Sequence, residues 1–183
     1  MKPGGAKSKG TGFELLVAKQ IAKVLDIDQQ RYLPRAPESG ARIQWKGDIV
    51  ATDKLASIWP FLIECKKQEG WNFESLLRNC QTNIIAEWYI KACEQAKESY
   101  DKTPLLIFSR NFQPWWVAFP LHIYNGWNKP LPEFYIHFAM VMGGEPIIRH
   151  VGVITLYTDF ERQFLVPKFK PLVEELGITV GHS

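Results

Sequence analysis

Three residues carry the strongest chemical signal in this chain: Asp48 in Lys46-Gly47-Asp48-Ile49-Val50, and Glu64 and Lys66 in Phe61-Leu62-Ile63-Glu64-Cys65-Lys66-Lys67. Strand side chains alternate faces, so Glu64 and Lys66 share one face while Ile63 and Cys65 take the other. A carboxylate and an ammonium inside an otherwise apolar strand are costly unless each has a partner. If the two segments pair as a hairpin, Asp48 comes to the Glu64 side of the sheet. Two carboxylates with the Cys65 backbone carbonyl then make the hard oxygen set that Mg²⁺ takes, with room left for water and phosphate. Lys66 would orient or deprotonate the attacking water and steady the charged phosphate. The same residues also read as a structural salt bridge, Asp48 or Glu64 with Lys66, and the short pattern alone does not separate the two.

The elements that must hold these groups are legible in outline. Residues 1–10 are basic and Gly-rich and read as a flexible tail. Thr11-Gly12-Phe13-Glu14 has the form of a capping box. It opens a helix whose stripe is Leu15, Leu16, Ala18, Ile21, Ala22 and Leu25. From Gln30 to Ala41 the text is polar and broken by Pro34, Pro37 and Gly40, a loop carrying Arg31 and Arg35 with Arg42 just beyond it. Ile43 to Thr52 and Trp59 to Lys67 read as a hairpin with its turn near Asp53 and Lys54. Asn72 caps a short helix, and a longer one runs from about Thr82 to Tyr100. Leu105 to Phe108 is a strand buried on both faces, and Trp115 to Phe119 is the next. Beyond Pro120 a linker rich in Pro, Asn and Gly leads to strands Phe134 to Met142 and Ile147 to Tyr157, turned by Gly143-Gly144. Thr158-Asp159-Phe160-Glu161 is a second capping box, opening a helical stretch interrupted by Pro167 and Pro171.

Composition narrows the class. With 183 residues, 46% hydrophobic and 22% charged, the chain is globular and holds one domain, or one with an elaboration. No apolar run approaches the ~18 residues of a membrane span, and the start lacks the apolar core of a secretory signal. Three cysteines, Cys65, Cys80 and Cys93, form no CxxC pair, which fits a reducing cytoplasm and argues against structural zinc. The four histidines lie in the C-terminal part without metal spacing, and the seven tryptophans read mainly as core or interface, with stacking on bases as the alternative. Net charge is +3, yet residues 1–47 carry nine Lys/Arg against four Asp/Glu. That gathering at one end suggests a polyanionic partner, or else a solvated surface with a loose basic tail.

Four motifs in order, Lys9-Gly10-x-x-Phe13-Glu14, Arg35-x-x-x-Ser39-Gly40, Gly47-Asp48-Ile49-Val50 and Ile63-Glu64-Cys65-Lys66, resemble the PD-(D/E)xK nuclease superfamily. More narrowly they look like archaeal-type Holliday junction resolvases and their bacteriophage relatives. The resemblance spans roughly Lys9 to Phe119 and implies an α/β fold: a restriction-endonuclease-like core of helix, mixed β-sheet and helix. On that division 1–10 is the tail, 11–120 the nuclease core, and 121–183 a C-terminal β-hairpin and helix extension packed on the core. It further implies that Asp48, Glu64, the Cys65 carbonyl and Glu14 hold Mg²⁺, with Mn²⁺ able to substitute. Lys66 is then the catalytic lysine and Ser39 the loop serine near the scissile phosphate.

Lys9, Arg35, Ser39, Arg42 and Lys67 would contact DNA. Gln95 stands where some nucleases of this fold place a site glutamine, although a solvated helix face also accounts for it. Glu14 has a second reading too, since a capping box explains it without catalysis. One departure is visible: the proline usual before the first aspartate is Gly47 here. The expected protein is a cytoplasmic homodimer that cuts four-way DNA junctions by paired nicks. The alternatives are a related nuclease of branched or single-stranded replication DNA, and a non-catalytic DNA-binding module.

Overall fold

The computed structural model describes residues 5–37, 46–78, 83–125, 135–141 and 148–180 of the chain. Helix α1 (Gly5–Leu25) buries Phe13, Val17, Ala18, Ile21, Ala22 and Leu25 along one face. It ends where Asp26 turns into the left-handed region (φ 57°), a conformation that stops a helix and that Asp tolerates. The helix thus starts well before Thr11. The residues read as a tail contribute its first turn, and Thr11 to Glu14 lie inside it, so the capping-box reading of Glu14 falls. A Thr-x-x-Glu pattern inside a helix has no free N–H groups to cap.

After a helical turn, α2 (Gln29–Tyr32), the chain runs extended and pairs with residues 48–52. The bonds are Thr52 N–H to Tyr32 O (3.0 Å), Val50 N–H to Pro34 O (3.1 Å) and Ala36 N–H to Asp48 O (2.9 Å). A 3₁₀ turn at Asp53–Ser57 leads to strand β1 (Phe61–Lys67). Among the described residues, the expected hairpin is reduced to a single antiparallel bridge, Ile49 to Ile63, with Arg35 bridging Ile49 on the other side. Gly47, at φ +89°, breaks the extended run that a longer ladder needs. The part of that expected strand before Lys46 lies outside the described residues.

Helix α3 (Phe73–Arg78) is capped as expected, with Ser75 N–H donating to Asn72 Oδ1 at 2.7 Å. Helix α4 (Ile84–Glu98) starts at Asn83, whose side chain accepts from Ile85 N–H. Strands β2 (Thr103–Ser109) and β3 (Trp116–Pro120) follow, then α5 (Leu121–Asn125), β4 (Tyr135–Val141) and β5 (Ile148–Leu156). The sheet order is β1-β2-β3-β5-β4, with β1 parallel to β2 and the other neighbours antiparallel. The C-terminal hairpin therefore continues the same sheet through β5 beside β3, and no break in hydrogen bonding falls at Pro120. The Gly143-Gly144 turn and the linker from residue 126 to Pro132 lie outside the described residues.

The sheet is covered on both faces. Ile63, Cys65, Ile107, Val117 and Val153 face α1, and Leu106, Phe108, Ala118 and Ile154 face α4. Beyond β5, α6 (Tyr157–Phe160), a π-helical turn at Glu161–Leu165 and α7 (Val166–Glu175) run on and pack against α1. Here too the expected capping box is absent. The helix starts at Tyr157, whose N–H donates to Trp115 O at 2.9 Å, and Leu156 supplies no side-chain cap. Pro167 directly follows the π-helical turn at the start of α7 and Pro171 lies inside α7, so neither proline ends the helix as expected.

Among the described residues, no helix is long and apolar enough to cross a membrane. One aromatic cluster ties the two ends of the chain together. The Phe61 ring lies 5.4 Å from Trp59, 5.6 Å from Phe169, 6.1 Å from Phe164 and 6.2 Å from Phe160. Phe61→Ala should destabilise the protein by about 3–5 kcal/mol in urea unfolding. A loss under ~1 kcal/mol would show that the helices after β5 do not rest on β1.

Candidate active site

Strand β1 stands at the edge of the sheet, so the free side of its backbone needs partners from outside. Asp48 supplies them twice. Its N–H donates to Ile63 O at 2.8 Å, and its Oδ2 accepts from Cys65 N–H at 2.6 Å. The carboxylate is held at the edge of β1 in the place a neighbouring strand would take.

The residue before it shows why glycine replaces proline. At φ +89° a proline ring cannot form, and any Cβ would lie 2.9 Å from Ile63 O and 3.1 Å from Leu62 Cγ. On the other side Lys46 pairs with Glu98 at the end of α4, anchoring the approach to this turn.

Glu64 and Lys66 share the α4 face of β1, as alternation requires, and are paired with each other. Glu64 is only 5% exposed, so its charge depends on that partner. Lys66 also reaches Cys65 O at 3.5 Å. Across the parallel ladder Glu64 sits opposite Leu106 and Lys66 opposite Phe108, so apolar groups flank the pair.

Glu14 comes in from α1 and accepts from Arg35 Nε at 2.6 Å. Arg35 is brought there by the bridge to Ile49. Glu14 is near enough for its charge to act on Asp48 and Cys65.

The electrostatics follow from this crowding. Burial, then the charge of Glu64, raises the Asp48 carboxyl to about 7, against the pull of the Cys65 N–H. Burial alone would lower the Lys66 pKa, but the charge and hydrogen bond of Glu64, with the charge of Asp48, outweigh it and raise it. Beside Glu64, with no metal bound, Lys66 therefore keeps its proton. Burial pushes the Cys65 thiol up, so its side chain is inert and only its backbone is available.

The structure thus brings together Asp48, Glu64, Lys66, the Cys65 backbone, Glu14 and Arg35. Lys67 lies at the rim, its Nζ 5.7 Å from the centre of the Phe13 ring. Gln95 rides on α4, above the face that carries Glu64. Its Oε1 is buried without a hydrogen-bond partner, so it is not joined to the cluster. Ser39 and Arg42 lie outside the described residues, and Lys9 is placed only by its backbone, in α1.

The Arg35–Glu14 pair was not visible in the sequence, because the partner of Glu14 comes from a loop 21 residues away. The left-handed turn at Gly47 had a faint signal in the unexpected glycine.

Among the described residues, no three His, Cys, Asp or Glu side chains are gathered closely enough to enclose a metal ion by themselves. The donor set nonetheless fits a hard cation. Mg²⁺ is held by one or two carboxylates with carbonyl, water and phosphate oxygens completing the shell. Asp48 and Glu64 are like charges forced together, and Asp48 responds by holding its proton up to about pH 7. A divalent cation relieves that repulsion directly.

The same crowding fixes the pH behaviour of the metal-free protein. Between about pH 4 and pH 7 the folded chain holds a proton at Asp48 that the unfolded chain has released, so stability falls as pH rises through that window. Asp48→Asn keeps the acceptor for Cys65 N–H and removes the charge. In EDTA at pH 8 it should be more stable than the wild type by on the order of 2 kcal/mol, with no advantage at pH 4. Equal pH slopes for the two proteins in thermal melting would contradict the crowded-carboxylate geometry.

No curated protein matches the chain, and no solved structure matches it. A family model does match, over residues 5–161, and is described as "Phage putative PDDEXK endonuclease". The match covers most of the chain, including the β4–β5 hairpin that the resolvase-like resemblance left out. With an edge strand carrying Glu64-x-Lys66 and an aspartate seated on its backbone, this chain belongs to the phage PDDEXK endonuclease family.

Proposed function

We propose that the protein is a Mg²⁺-dependent endonuclease that resolves four-way DNA junctions as a homodimer. The observation that carries the nuclease chemistry is the seating of Asp48 on the Cys65 N–H, which puts its carboxylate beside Glu64 and Lys66. Asp48, Glu64 and the Cys65 carbonyl would hold the metal, with Glu14 adding its carboxylate once Arg35 turns to a DNA phosphate. When bound, the ion would supply charge neutralisation at the phosphate and a coordinated water more acidic than bulk water.

The remaining work falls to the chain. Lys66, held protonated by Glu64, places one positive charge where the phosphate gains negative charge as a water oxygen bonds to phosphorus, releasing its proton to solvent, and the strand oxygen leaves and takes up a proton from solvent. Arg35 at the free edge of β1 and Lys67 at its end, over Phe13, add cations near the cluster, and Arg42, Ser39 and Lys9 extend the phosphate contacts along the basic N-terminal third. A carboxylate cluster gains nothing for DNA binding alone, which speaks against a purely binding role.

The junction reading is supported by the four motifs in order, Lys9 to Lys66, and by arithmetic. Resolution needs two symmetric nicks, the described residues of one chain hold one such cluster, and C₂ pairing is the commonest way to double it. Such an enzyme works in the cytoplasm of the infected host.

Glu64→Gln should abolish Mg²⁺-dependent nicking while leaving junction affinity intact or higher, since removing negative charge cannot weaken attraction to phosphate. Lys66→Ala should lose ~10²–10³-fold in rate. A Glu64→Gln protein that nicks at the wild-type rate would place the chemistry elsewhere. On a synthetic four-way junction, Mg²⁺ should produce paired nicks symmetric about the branch, with light scattering giving twice the chain mass. A monomer that cuts plain duplex as readily would leave the endonuclease and remove the resolvase.

A further inference from the structure

Phe112 is the most exposed large apolar side chain among the described residues, at 103% of a free residue's surface, and it sits in the left-handed region at φ +59°. Either feature alone is ordinary on a surface. Together they are not, because a bulky residue in that conformation is strained and water around a whole phenyl ring is unfavourable. Asn or Gly would satisfy such a turn at lower cost, and Asn111 is the residue just before it.

The turn that presents Phe112 is firmly built. Asn111 N–H donates to Glu69 Oε1 at 2.7 Å, and Gln113 N–H donates to Arg110 O at 3.3 Å. The buried Ser109 hydroxyl lies 3.0 Å from Arg110 O and 3.2 Å from Gln113 O. The Arg110 guanidinium stacks 5.2 Å from the centre of the Trp71 ring and donates to Trp71 O at 3.3 Å. The ring is thus held out on a fixed support.

Its place in the fold gives the support a purpose. β1 and β2 are parallel, so both end on the same side, with Lys66 opposite Phe108 and Lys67 opposite Ser109. Gln68 N–H donates to Ser109 O at 3.1 Å, which carries that pairing one step further. Phe112 follows three residues later, within ~10 Å of chain from Ser109. The turn carrying Phe112 therefore leaves the sheet at the same end of β1 and β2 as Lys66 and Lys67. The charged groups at this end are Lys66 paired with Glu64, Lys67 over Phe13, Arg110 on Trp71 and the Glu69 carboxylate at Asn111 N–H.

We propose that Phe112 is a stacking wedge: its ring lies against an unstacked base beside the scissile phosphate and favours substrates whose bases are already unstacked, as at a branch. This rests on the endonuclease reading of the neighbouring cluster. Bases stack on aromatic side chains regardless of sequence, and inserted apolar side chains part base steps in bent DNA.

The test uses the full chain and three variants. Phe112→Gly removes the ring and relieves the positive φ, Phe112→Leu keeps bulk without aromaticity, and Phe112→Trp keeps the stack. Each is measured for melting temperature, for affinity on a four-way junction and matched duplex, and for KM and kcat with Mg²⁺. 2-Aminopurine placed beside the mapped nick reports stacking.

Phe112→Gly should melt no lower than the wild type, yet lose at least about fivefold in junction affinity and KM with little change on duplex. Phe112→Leu should fall between, and Phe112→Trp should retain both the affinity and the fluorescence change. Wild-type affinity and fluorescence in Phe112→Gly would overturn the wedge and leave the endonuclease standing. If that variant instead loses only self-association, the ring contacts a second protein chain and the proposal also fails. A wild type that binds through Phe112 but never cuts overturns the endonuclease reading alone.

Discussion

An edge strand must find partners for the N–H and C=O groups along its free side, and β1 finds them in a single residue. Asp48 gives its backbone N–H to Ile63 and its carboxylate to Cys65. The same contact completes the sheet and places a negative charge at its rim. Glu64 and Lys66 need no separate positioning, because the two-residue period of the strand aims both at the face beside that rim. Arg35 and Glu14 follow from it too. The segment carrying Arg35 is pinned to residues 48–50, and Arg35 then draws the Glu14 carboxylate toward the cluster. A group of charges that is unfavourable on its own is thus assembled by backbone hydrogen bonds that the fold needs in any case.

The resting arrangement keeps the charges balanced. Glu64 is held by Lys66 and Glu14 by Arg35, while Asp48 is left with a raised pKa and an N–H donor. This is the kind of local destabilisation that a protein tolerates at a site of use and offsets elsewhere. The offset is visible on the opposite face of β1, where Phe61 joins the aromatic cluster of the C-terminal helices. The helices after β5 thus brace, through their packing, the strand that carries the charges.

How much of this the sequence discloses depends on the kind of signal. The strands β2 and β3 and helix α4 were legible because their apolar periods are regular and their boundaries carry Pro104, Asn83 and polar residues. The alternation of Ile63, Glu64, Cys65 and Lys66 placed the charged pair on one face correctly. The early start of α1 was hidden because Gly and Lys carry no period, and the Thr-x-x-Glu patterns at Thr11 and Thr158 imitate caps inside or beside continuous helix. The single Ile49–Ile63 bridge in place of a hairpin has no sequence signature, since its cause is a positive φ at Gly47. That β5 pairs with β3 is a long-range choice, which local composition around Pro120 does not record.

The short ribbon between residues 32–36 and 48–52 also isolates the site from the chain that joins its two sides. The chain leaves it at Ala36 and returns at Asp48, and the Ala36 N–H to Asp48 O bond clamps the two ends together. Whatever lies between begins and finishes at fixed points beside the edge of β1 that carries Asp48. A change confined between those two points leaves Asp48 seated on the Cys65 N–H, and with it the place of the Glu64–Lys66 pair beside the edge of β1.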